Sequence, residues 1–351
     1  MVIQTMWKDR LSFSDLEGEN AALITGRINM LANIDCGLLR FAVPDLPAAD
    51  VLGRLAEMVS MPLVADIHFD HTIALRCMDF PIAKIRINPG NIGAREKVRA
   101  VLEKAAEKKI PVRIGVNAGS LPRDLRERVA GGMDCAQALA EAALRELAIF
   151  DEFGFTNALV SMKASGIADT VKANRILAER VMTPLHIGVT EAGPLVAGVS
   201  RSSAALSLLL AQGIGDTLRV SLSDSMENEV IAAREICGAA AEIADLSGNK
   251  AAADRLRRSG VKVVSCPRCG RHSFDTHGFT GRWLSKLYAL DKDITVAVMG
   301  CEVNGPEEAR HADVGITGTG NKVLIFRRGE IVRTVSAAEA DSAFAEELEL
   351  L

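Results

Sequence analysis

The chain has 351 residues, a formal net charge of −4 and 48% hydrophobic residues, the composition of an ordinary globular protein. It is longer than the roughly 250 to 300 residues at which a single hydrophobic core stops growing, which predicts two domains. Because it has no polybasic run and no apolar stretch of about 18 residues, we expect neither nucleic acid nor a membrane as a main partner. The opening MVIQTMWKDR shows no signal-peptide pattern, so we expect a cytoplasmic protein.

Short β-rich runs alternate with helical stretches over about the first 245 residues. Eight runs are present: VIQTM (2–6), LLRFAV (38–43), PLVAD (62–66), AKIRI (83–87), VRIGV (112–116), ALVSM (158–162), LHIGV (185–189) and TLRVSL (217–222). Helical periodicity is clear between them, for example in REKVRAVLEKAAEKK (95–109). Eight β/α units of this length predict an α/β fold of the (β/α)8 TIM barrel type. An open doubly wound sheet is the alternative, but it usually has fewer strands.

Polar loops follow these runs, including DIHFD, NPGN, NAGS, TEAG and SLSD. In a TIM barrel such loops gather at the carboxyl ends of the strands, where active sites are built. Basic side chains recur at or near the same strand ends: Arg40, Arg86, Arg113, Lys163 and Arg219. Since a buried charge is unfavourable unless paired, five converging cations predict a diphosphate or another multiply charged anion. The alternative is that each cation faces solvent or pairs with a carboxylate.

Two acidic segments of the barrel each have two interpretations. DIHFDH (66–71) has the residue types of a metal site. A hydrogen-bonded Asp/His pair lining the pocket is favoured, because the neighbouring loops offer no further histidine except His186. Glu191, in TEAG, either pairs with nearby cations or serves as a proton donor or acceptor.

The sequence changes character at SGNKAAADRLRRSG (247–260), which is polar and charged. We therefore predict a substrate-binding barrel over residues 1–247 and a small α/β domain over residues 248–351. The second domain is predicted to contain strands at 261–265 and 294–300, a helix near 279–290 and a hairpin at 323–335 that turns at Arg328 and Gly329.

The chain has seven cysteines, and this odd number without a signal peptide argues against a disulfide framework and favours metal binding. Cys266 and Cys269 form a C-x2-C pair after one predicted strand, and Cys301 follows another strand. A second C-x2-C, which would have indicated a four-thiolate zinc site, is absent. Three nearby thiolates therefore need a fourth group.

Three interpretations of this cysteine set remain open. Structural zinc would take a histidine as its fourth ligand, with His272, His277 or His311 available. The cysteines are, in the second interpretation, free and buried. An iron–sulfur cluster is favoured, with one iron left for a carboxylate, a water or the substrate. Glu307 and Glu308 are the candidate carboxylates.

Seven segments together resemble one family: VADIHFD, RINPGNIG, RIGVNAGSL, HIGVTEAG, GIGDTLRVSL, SCPRCGR and MGCEVNGPEEA. The chain resembles the 4-hydroxy-3-methylbut-2-enyl diphosphate synthases of the methylerythritol phosphate route to isoprenoids, from about residue 36 to residue 335. The resemblance implies a TIM barrel followed by a [4Fe-4S] domain, in a homodimer where the cluster of one subunit caps the barrel of the other. It also implies reductive opening of 2-C-methyl-D-erythritol 2,4-cyclodiphosphate with loss of water, using two electrons from ferredoxin or flavodoxin.

The resemblance assigns roles to individual positions. The implied cluster ligands are Cys266, Cys269, Cys301 and Glu308. The implied diphosphate contacts are Arg40, Arg86, Arg113, Lys163, Arg219 and Ser221, with Asn117 and His186 lining the pocket. Glu191 would be the acid.

The chain departs from the family pattern in three places. It begins at a strand that is internal in the family, MWKD (6–9) stands for MTNT, and GPEEA (305–309) stands for GPGEA. The last change places Glu307 where a glycine would supply a positive φ. The alternative function is therefore a divergent relative that binds a cluster and a phosphorylated ligand, either without catalysis or with another substrate.

Overall fold

The computed structural model describes all 351 residues, with the exception of the side chain of Asn304. It divides into two compact units, Met1–Arg257 and Arg258–Leu351. The segment 248–257, which the sequence placed with the second domain, groups with the first unit. Asn249 donates a hydrogen bond to the carbonyl of Ala211 at 3.0 Å, and Arg255 donates one to the carbonyl of Gly213 at 3.0 Å. The charged residues of this segment therefore belong to a short helix held on the first unit.

The first unit contains eight parallel strands in the order β6-β5-β4-β3-β2-β1-β8-β7. They are β1 Val2–Met6, β2 Cys36–Ala42, β3 Leu63–Asp66, β4 Lys84–Ile87, β5 Val112–Asn117, β6 Ala158–Lys163, β7 His186–Ile187 and β8 Thr217–Leu218. A bridge between Val160 and Leu185 joins the two ends of this order. The predicted TIM barrel is confirmed, and the open doubly wound sheet is wrong.

Helices alternate with the strands around the barrel. They are α1 Gly18–Asn33, α2 Leu46–Met58, α3 His71–Cys77, α4 Pro89–Ile92, α5 Arg95–Lys108, α6 Arg123–Ala130, α7 Cys135–Glu152, α8 Ile167–Ala178, α9 Leu195–Ala211, α10 Met226–Leu246 and α11 Lys250–Leu256. Several begin at a polar side chain that accepts a backbone N–H of the first turn, as Asp45 does for α2 and Ser225 for α10. The polar residues after the strands thus start the helices as well as lining the mouth.

The barrel strands are buried on both faces, since every residue of β3, β4 and β6 is buried. Strands β7 and β8 are shorter than predicted, with two residues each. The backbone of β8 still reaches β7 beyond these bounds, because the N–H of Arg219 bonds to the carbonyl of Ile187 at 3.1 Å. The carboxyl ends of all eight strands consequently face one mouth.

The second unit is a small α/β domain with a five-stranded sheet in the order β13-β12-β11-β10-β9. Its elements are β9 Lys262–Ser265, α12 Thr276–Tyr288, β10 Thr295–Val298, β11 Val314–Thr319, β12 Lys322–Arg327, β13 Glu330–Ser336 and α13 Ala340–Glu349, with a π-helical turn at Val303–Glu308. The predicted hairpin is present between β12 and β13, and both turn residues, Arg328 and Gly329, have positive φ.

An aromatic cluster forms the core of the second unit. The ring of Trp283 lies 5.6 Å from that of Phe279 and 5.1 Å from that of Phe344, so α12 and α13 pack together on the sheet. Among the helices of the described residues, none is long and apolar enough to cross a membrane.

Candidate functional site

An open cavity with an empty volume of about 440 Å³ lies at the carboxyl ends of the barrel strands. Its lining residues are Arg40, Asp66, His68, Arg86, Arg113, Asn117, Ser161, Lys163, Thr190, Arg219 and Ser221. Seven of the eight predicted substrate contacts are in this set. The eighth, His186, lies directly behind it, with its Nε2 atom 3.4 Å from the Nζ atom of Lys163. The sequence did not single out Ser161 and Thr190.

Asp66, at the end of β3, is the central carboxylate of the cavity. Its Oδ1 atom lies 3.0 Å from Nη1 of Arg86, and its Oδ2 atom lies 3.6 Å from Nε of Arg40 and from Nε2 of His68. Burial opposes ionisation of Asp66, but the His68 hydrogen bond and the charges of Arg40 and Arg86 hold its pKa well below the usual range. Asp66 and His68 both line the cavity, and among the described residues no group of three His, Cys, Asp or Glu side chains is placed to hold a metal ion.

Arg113, on β5, carries the least compensated charge in the cavity. It is 1% exposed, and its Nε and Nη1 atoms have no hydrogen-bond partner among the described residues. Burial, followed by the positive charges of Arg40 and Arg86, holds the pKa of its guanidinium well below the ordinary value. A buried cation with two unpartnered donors is strongly unfavourable until an anion reaches it.

The pKa values of Lys163 and His186 are also lowered by burial and by the neighbouring cations. Burial first, and then the charge of Arg113, lowers the pKa of both groups well below their ordinary values. The Nδ1 atom of His186 is 2.7 Å from Oγ1 of Thr217, which fixes the orientation of the ring. The pKa shift of His186 favours the neutral imidazole, and that of Lys163 favours the uncharged amine.

Cations outnumber carboxylates around the cavity. Even with Lys163 neutral, four guanidinium groups remain, from Arg40, Arg86, Arg113 and Arg219. The carboxylates that pair with them in the described structure are Asp66 and Glu229, the latter 3.2 Å from Nη2 of Arg219. The excess of positive charge predicts an anionic ligand with more than one negative group.

Gly115, in β5, and Gly188, directly after β7, make room for these side chains. A Cβ atom on Gly115 would lie 2.3 Å from Nε of Arg86. A Cβ atom on Gly188 would lie 3.1 Å from Nζ of Lys163 and 2.6 Å from the carbonyl oxygen of Arg219. Neither glycine was predicted from the sequence, although a glycine inside a strand, such as Gly115, indicates a close approach of this kind.

Glu191 is exposed, and it does not line the cavity. It follows the lining residue Thr190 and has a φ of 52°, in the left-handed region that a side chain rarely adopts. The N–H of Thr190 bonds to the carbonyl of Ala164 at 3.1 Å, which helps to hold this conformation. A strained residue beside a site is a common functional arrangement, but the role of Glu191 stays a prediction.

The predicted cluster cysteines follow two neighbouring parallel strands of the second unit. Cys266 comes directly after β9 and Cys301 shortly after β10, and the N–H of Cys266 bonds to the carbonyl of Val298 at 2.9 Å. The Sγ atom of Cys266 lies 3.5 Å from where a Cβ atom on Gly300 would stand, so the sulfur approaches the loop of Cys301. Cys269 is exposed, in a turn where Arg268 has a φ of 73°.

The residue types and strand positions fit a soft metal or an iron–sulfur cluster. The side chains are not gathered around one point, since no three metal-binding side chains among the described residues are close enough to hold an ion. Of the three candidate histidines, His272 has its Nδ1 atom 2.7 Å from the carbonyl oxygen of Cys269, and the zinc alternative stays open. The cluster and its ligands therefore stay a prediction.

Glu307 and Glu308 end the π-helical turn that follows Cys301, and both are exposed. Glu307 is not among the described residues with positive φ. The replacement of glycine at this position therefore causes no backbone strain, and the expected conflict is absent.

Two family models together match nearly the whole chain. Residues 1–234 match the GcpE TIM-barrel domain, and residues 262–350 match the GcpE protein C-terminal domain. The chain is 49% identical to a protein of Treponema pallidum (strain Nichols), across 99% of this chain and 86% of that protein. It is 46% identical to a protein of Treponema denticola, with coverages of 100% and 93%, and 43% identical to one of Geobacter sulfurreducens, with coverages of 96% and 91%. All three are named 4-hydroxy-3-methylbut-2-en-1-yl diphosphate synthase (flavodoxin).

Proposed function

The chain belongs to the GcpE family of 4-hydroxy-3-methylbut-2-en-1-yl diphosphate synthases, and we propose that it performs the reaction of that family. It is an oxidoreductase of isoprenoid synthesis. The substrate we propose is 2-C-methyl-D-erythritol 2,4-cyclodiphosphate, which is reductively opened and loses water to give 4-hydroxy-3-methylbut-2-enyl diphosphate.

The single observation that carries the substrate proposal is the unpartnered, buried guanidinium of Arg113 inside a cavity rich in cations. A cyclic diphosphate brings two phosphate groups, each able to accept parallel hydrogen bonds from a guanidinium fork. Arg40 and Arg86 are oriented for this task by Asp66, and Arg219 is oriented by Glu229.

The neutral side chains of the cavity help to orient the substrate. Asn117 and Ser221 line the cavity and offer donors to phosphate or sugar oxygens. Lys163 lines the same cavity, and because burial lowers its pKa, an anionic diphosphate would favour its charged form. Glu191 supplies a proton to the opened ring, once the loop that carries it turns towards the cavity.

The second unit would hold a [4Fe-4S] cluster through Cys266, Cys269, Cys301 and Glu308. Such a cluster would supply electrons to the reaction one at a time. The chain contributes a sulfur at the end of β9 and another after β10, on a sheet whose own hydrophobic core keeps both strand ends in place.

Two partners complete the proposal. The relatives above are named for flavodoxin, which favours flavodoxin over ferredoxin as the electron donor. The homodimer implied by the resemblance is retained, and sedimentation of the purified protein tests it.

The decisive experiment is anaerobic purification followed by iron and sulfide analysis, electron paramagnetic resonance of the reduced sample and turnover with a strong reductant. We expect a brown protein that converts the cyclic diphosphate into the allylic diphosphate. A colourless protein with one tightly bound zinc would contradict the cluster. A brown protein that is inert towards this substrate would favour the divergent binding relative.

A further inference from the structure

We propose that Lys8 is a positioning residue of the anion site. Its ammonium group neutralises Glu229 and thereby leaves the charge of Arg219 available to the substrate. This inference rests on the proposed function, because Arg219 is assigned there to the diphosphate. Lys8 lies in MWKD (6–9), just after β1, and does not line the cavity itself.

Glu229, in the first turn of α10, is a buried carboxylate shared by several elements. Its Oε2 atom accepts from Oγ1 of Thr5 at 2.6 Å, and its Oε1 atom accepts from the backbone N–H of Leu222 at 3.1 Å. Two cations contact it: Arg219 through Nη2 at 3.2 Å, and Lys8 through Nζ at 3.1 Å. The side chain of Glu229 is 0% exposed, so its charge is balanced by these neighbours and not by water.

The charge balance explains why Lys8 matters for Arg219. With Arg219 alone, one guanidinium would face one buried carboxylate, and the pair would carry no net charge towards a ligand. With Lys8 present, two cations face one carboxylate, so the group keeps one net positive charge beside the cavity. Glu229 is buried and the side chain of Lys8 is 32% exposed, so the net positive charge is only partly screened and acts over several ångströms.

The position of Lys8 is fixed by the loop after β8. Its Nζ atom also donates to the carbonyl of Leu222 at 3.0 Å and to the carbonyl of Asp224. These bonds join the loop after β1 to the loop after β8, where β1 and β8 pair at two positions, Val2 with Thr217 and Ile3 with Leu218. Lys8 therefore either acts through its charge or only holds these two loops together. The two roles predict different behaviour of matched variants.

The test measures binding of inorganic pyrophosphate to the full-length protein by calorimetry, together with KM and kcat for the cyclic diphosphate. Lys8→Met keeps the aliphatic stem and removes the charge, and Lys8→Arg keeps the charge. For Lys8→Met we expect the Kd for pyrophosphate and KM to rise about tenfold at low salt, with kcat changed by less than about twofold. Lys8→Arg should stay within about threefold of the wild type, and high salt should shrink the difference.

A double variant separates charge from bracing. Lys8→Met combined with Glu229→Gln removes one positive and one negative charge, so the site regains the balance of the wild type. We expect its pyrophosphate affinity to return to within about threefold of the wild-type value, although the brace is still missing. Thermal unfolding checks that each variant is folded.

The outcomes distinguish this inference from the function on which it rests. The charge role would be overturned if Lys8→Met and Lys8→Arg lost pyrophosphate affinity equally, or if the double variant did not recover that affinity. Wild-type pyrophosphate affinity in Lys8→Met would also overturn it. If the wild type does not bind pyrophosphate, the anion cavity and the role of Lys8 both fail. If it binds pyrophosphate with the expected pattern of variants but does not turn over the cyclic diphosphate, the role of Lys8 stands and the proposed substrate is wrong.

Discussion

The two halves of the molecule prepare their sites differently. In the barrel, the cationic side chains of Arg40, Arg86 and Arg113 extend from strands, are buried or nearly so, and are held by Asp66 or by close packing. In the second unit, Cys266 and Cys301 lie in loops just after strands and Cys269 is exposed. The barrel site is thus organised before any ligand arrives, whereas the thiols are brought to one edge without being gathered.

This difference has an energetic side. The barrel keeps buried charges that lower its stability and raise its affinity for an anion. The second unit has an independent core around Phe279, Trp283 and Phe344, so its fold does not depend on a metal in the way that a zinc finger does. Changes to the buried cations should therefore alter both stability and activity, whereas changes to the cysteines should alter activity with little effect on stability.

The largest expected effect is loss of turnover in Cys266→Ser. The serine oxygen is a poor ligand for iron, so we expect bound iron, sulfide and activity to fall together to background. Because Cys266 lies outside the aromatic core, the unfolding temperature of the apoprotein should change little. Iron and sulfide analysis with calorimetry of the apoprotein measures both.

Cys135→Ser is the matched control for this prediction. Cys135 is a partly buried cysteine at the first residue of α7, in the barrel unit. Its replacement should leave iron content and activity unchanged. Loss of iron in both variants would show that the thiol set has been assigned incorrectly.

Arg113→Met should have opposite effects on catalysis and stability. Removing the guanidinium removes charge-assisted hydrogen bonds in a buried site, so kcat/KM should fall by about a hundredfold or more. The same change replaces a buried, unpartnered cation with an apolar side chain, so the unfolding free energy of the ligand-free protein should rise by about 1 to 4 kcal/mol. Steady-state kinetics and denaturant unfolding measure the two effects.

Arg123→Met is the control for Arg113. Arg123 has 85% of its side chain exposed and pairs with Glu127 on the surface of α6. Its replacement should leave kcat/KM unchanged and should change the unfolding free energy by less than about 0.5 kcal/mol. A destabilised Arg113→Met protein would mean that the guanidinium is compensated in the free enzyme, and the contrast between the two units would weaken.

Gly115→Ala tests whether the barrel site depends on close packing of its cations. The new methyl group would displace the guanidinium of Arg86, because the Cβ atom would stand 2.3 Å from Nε. A displacement of about 1 Å should lower kcat/KM by between about tenfold and a hundredfold. Gly119→Ala, in the next loop, meets nothing within 4 Å and should leave kcat/KM unchanged.

The parts that sequence reasoning predicted are those encoded locally. Alternation of β-rich and helical segments gave the barrel, and residues at strand ends gave the cations of the cavity. The turn at Arg328 and Gly329 was likewise predictable, because few residues tolerate two successive positive φ values.

The parts that it missed depend on contacts between distant segments. Thr5 meets Glu229 across 224 positions, and nothing near either residue indicates that the pair closes the barrel. The role of Gly115 depends on Arg86 of the neighbouring strand, in a register that local patterns do not fix. The segment 248–257 reads as a linker in composition, yet contacts from Asn249 and Arg255 attach it to the barrel.

The smallest predicted effect concerns the pH dependence of a contact to the short helix α4. Glu146, on α7, accepts the backbone N–H of Gly90 in α4, and burial raises the pKa of Glu146 to about 7. Its Oε2 atom has no hydrogen-bond partner among the described residues. The carboxyl therefore favours its neutral form in the folded protein, where the unfolded chain would ionise it near the ordinary value of 4.5.

Because the folded pKa lies above the unfolded one, the stability linked to Glu146 is complete below pH 4.5 and is lost as the pH rises through about 7. Between pH 6 and pH 8 the wild type should lose about 1.4 kcal/mol of unfolding free energy relative to Glu146→Gln, which keeps the acceptor for Gly90. Denaturant unfolding of both proteins at the two pH values measures this difference, because every other titrating group is shared by the two proteins. An identical pH dependence in the two proteins would mean that Glu146 is hydrated in solution. The organisation of the barrel site before ligand binding would then be limited to its strands and would not include α4.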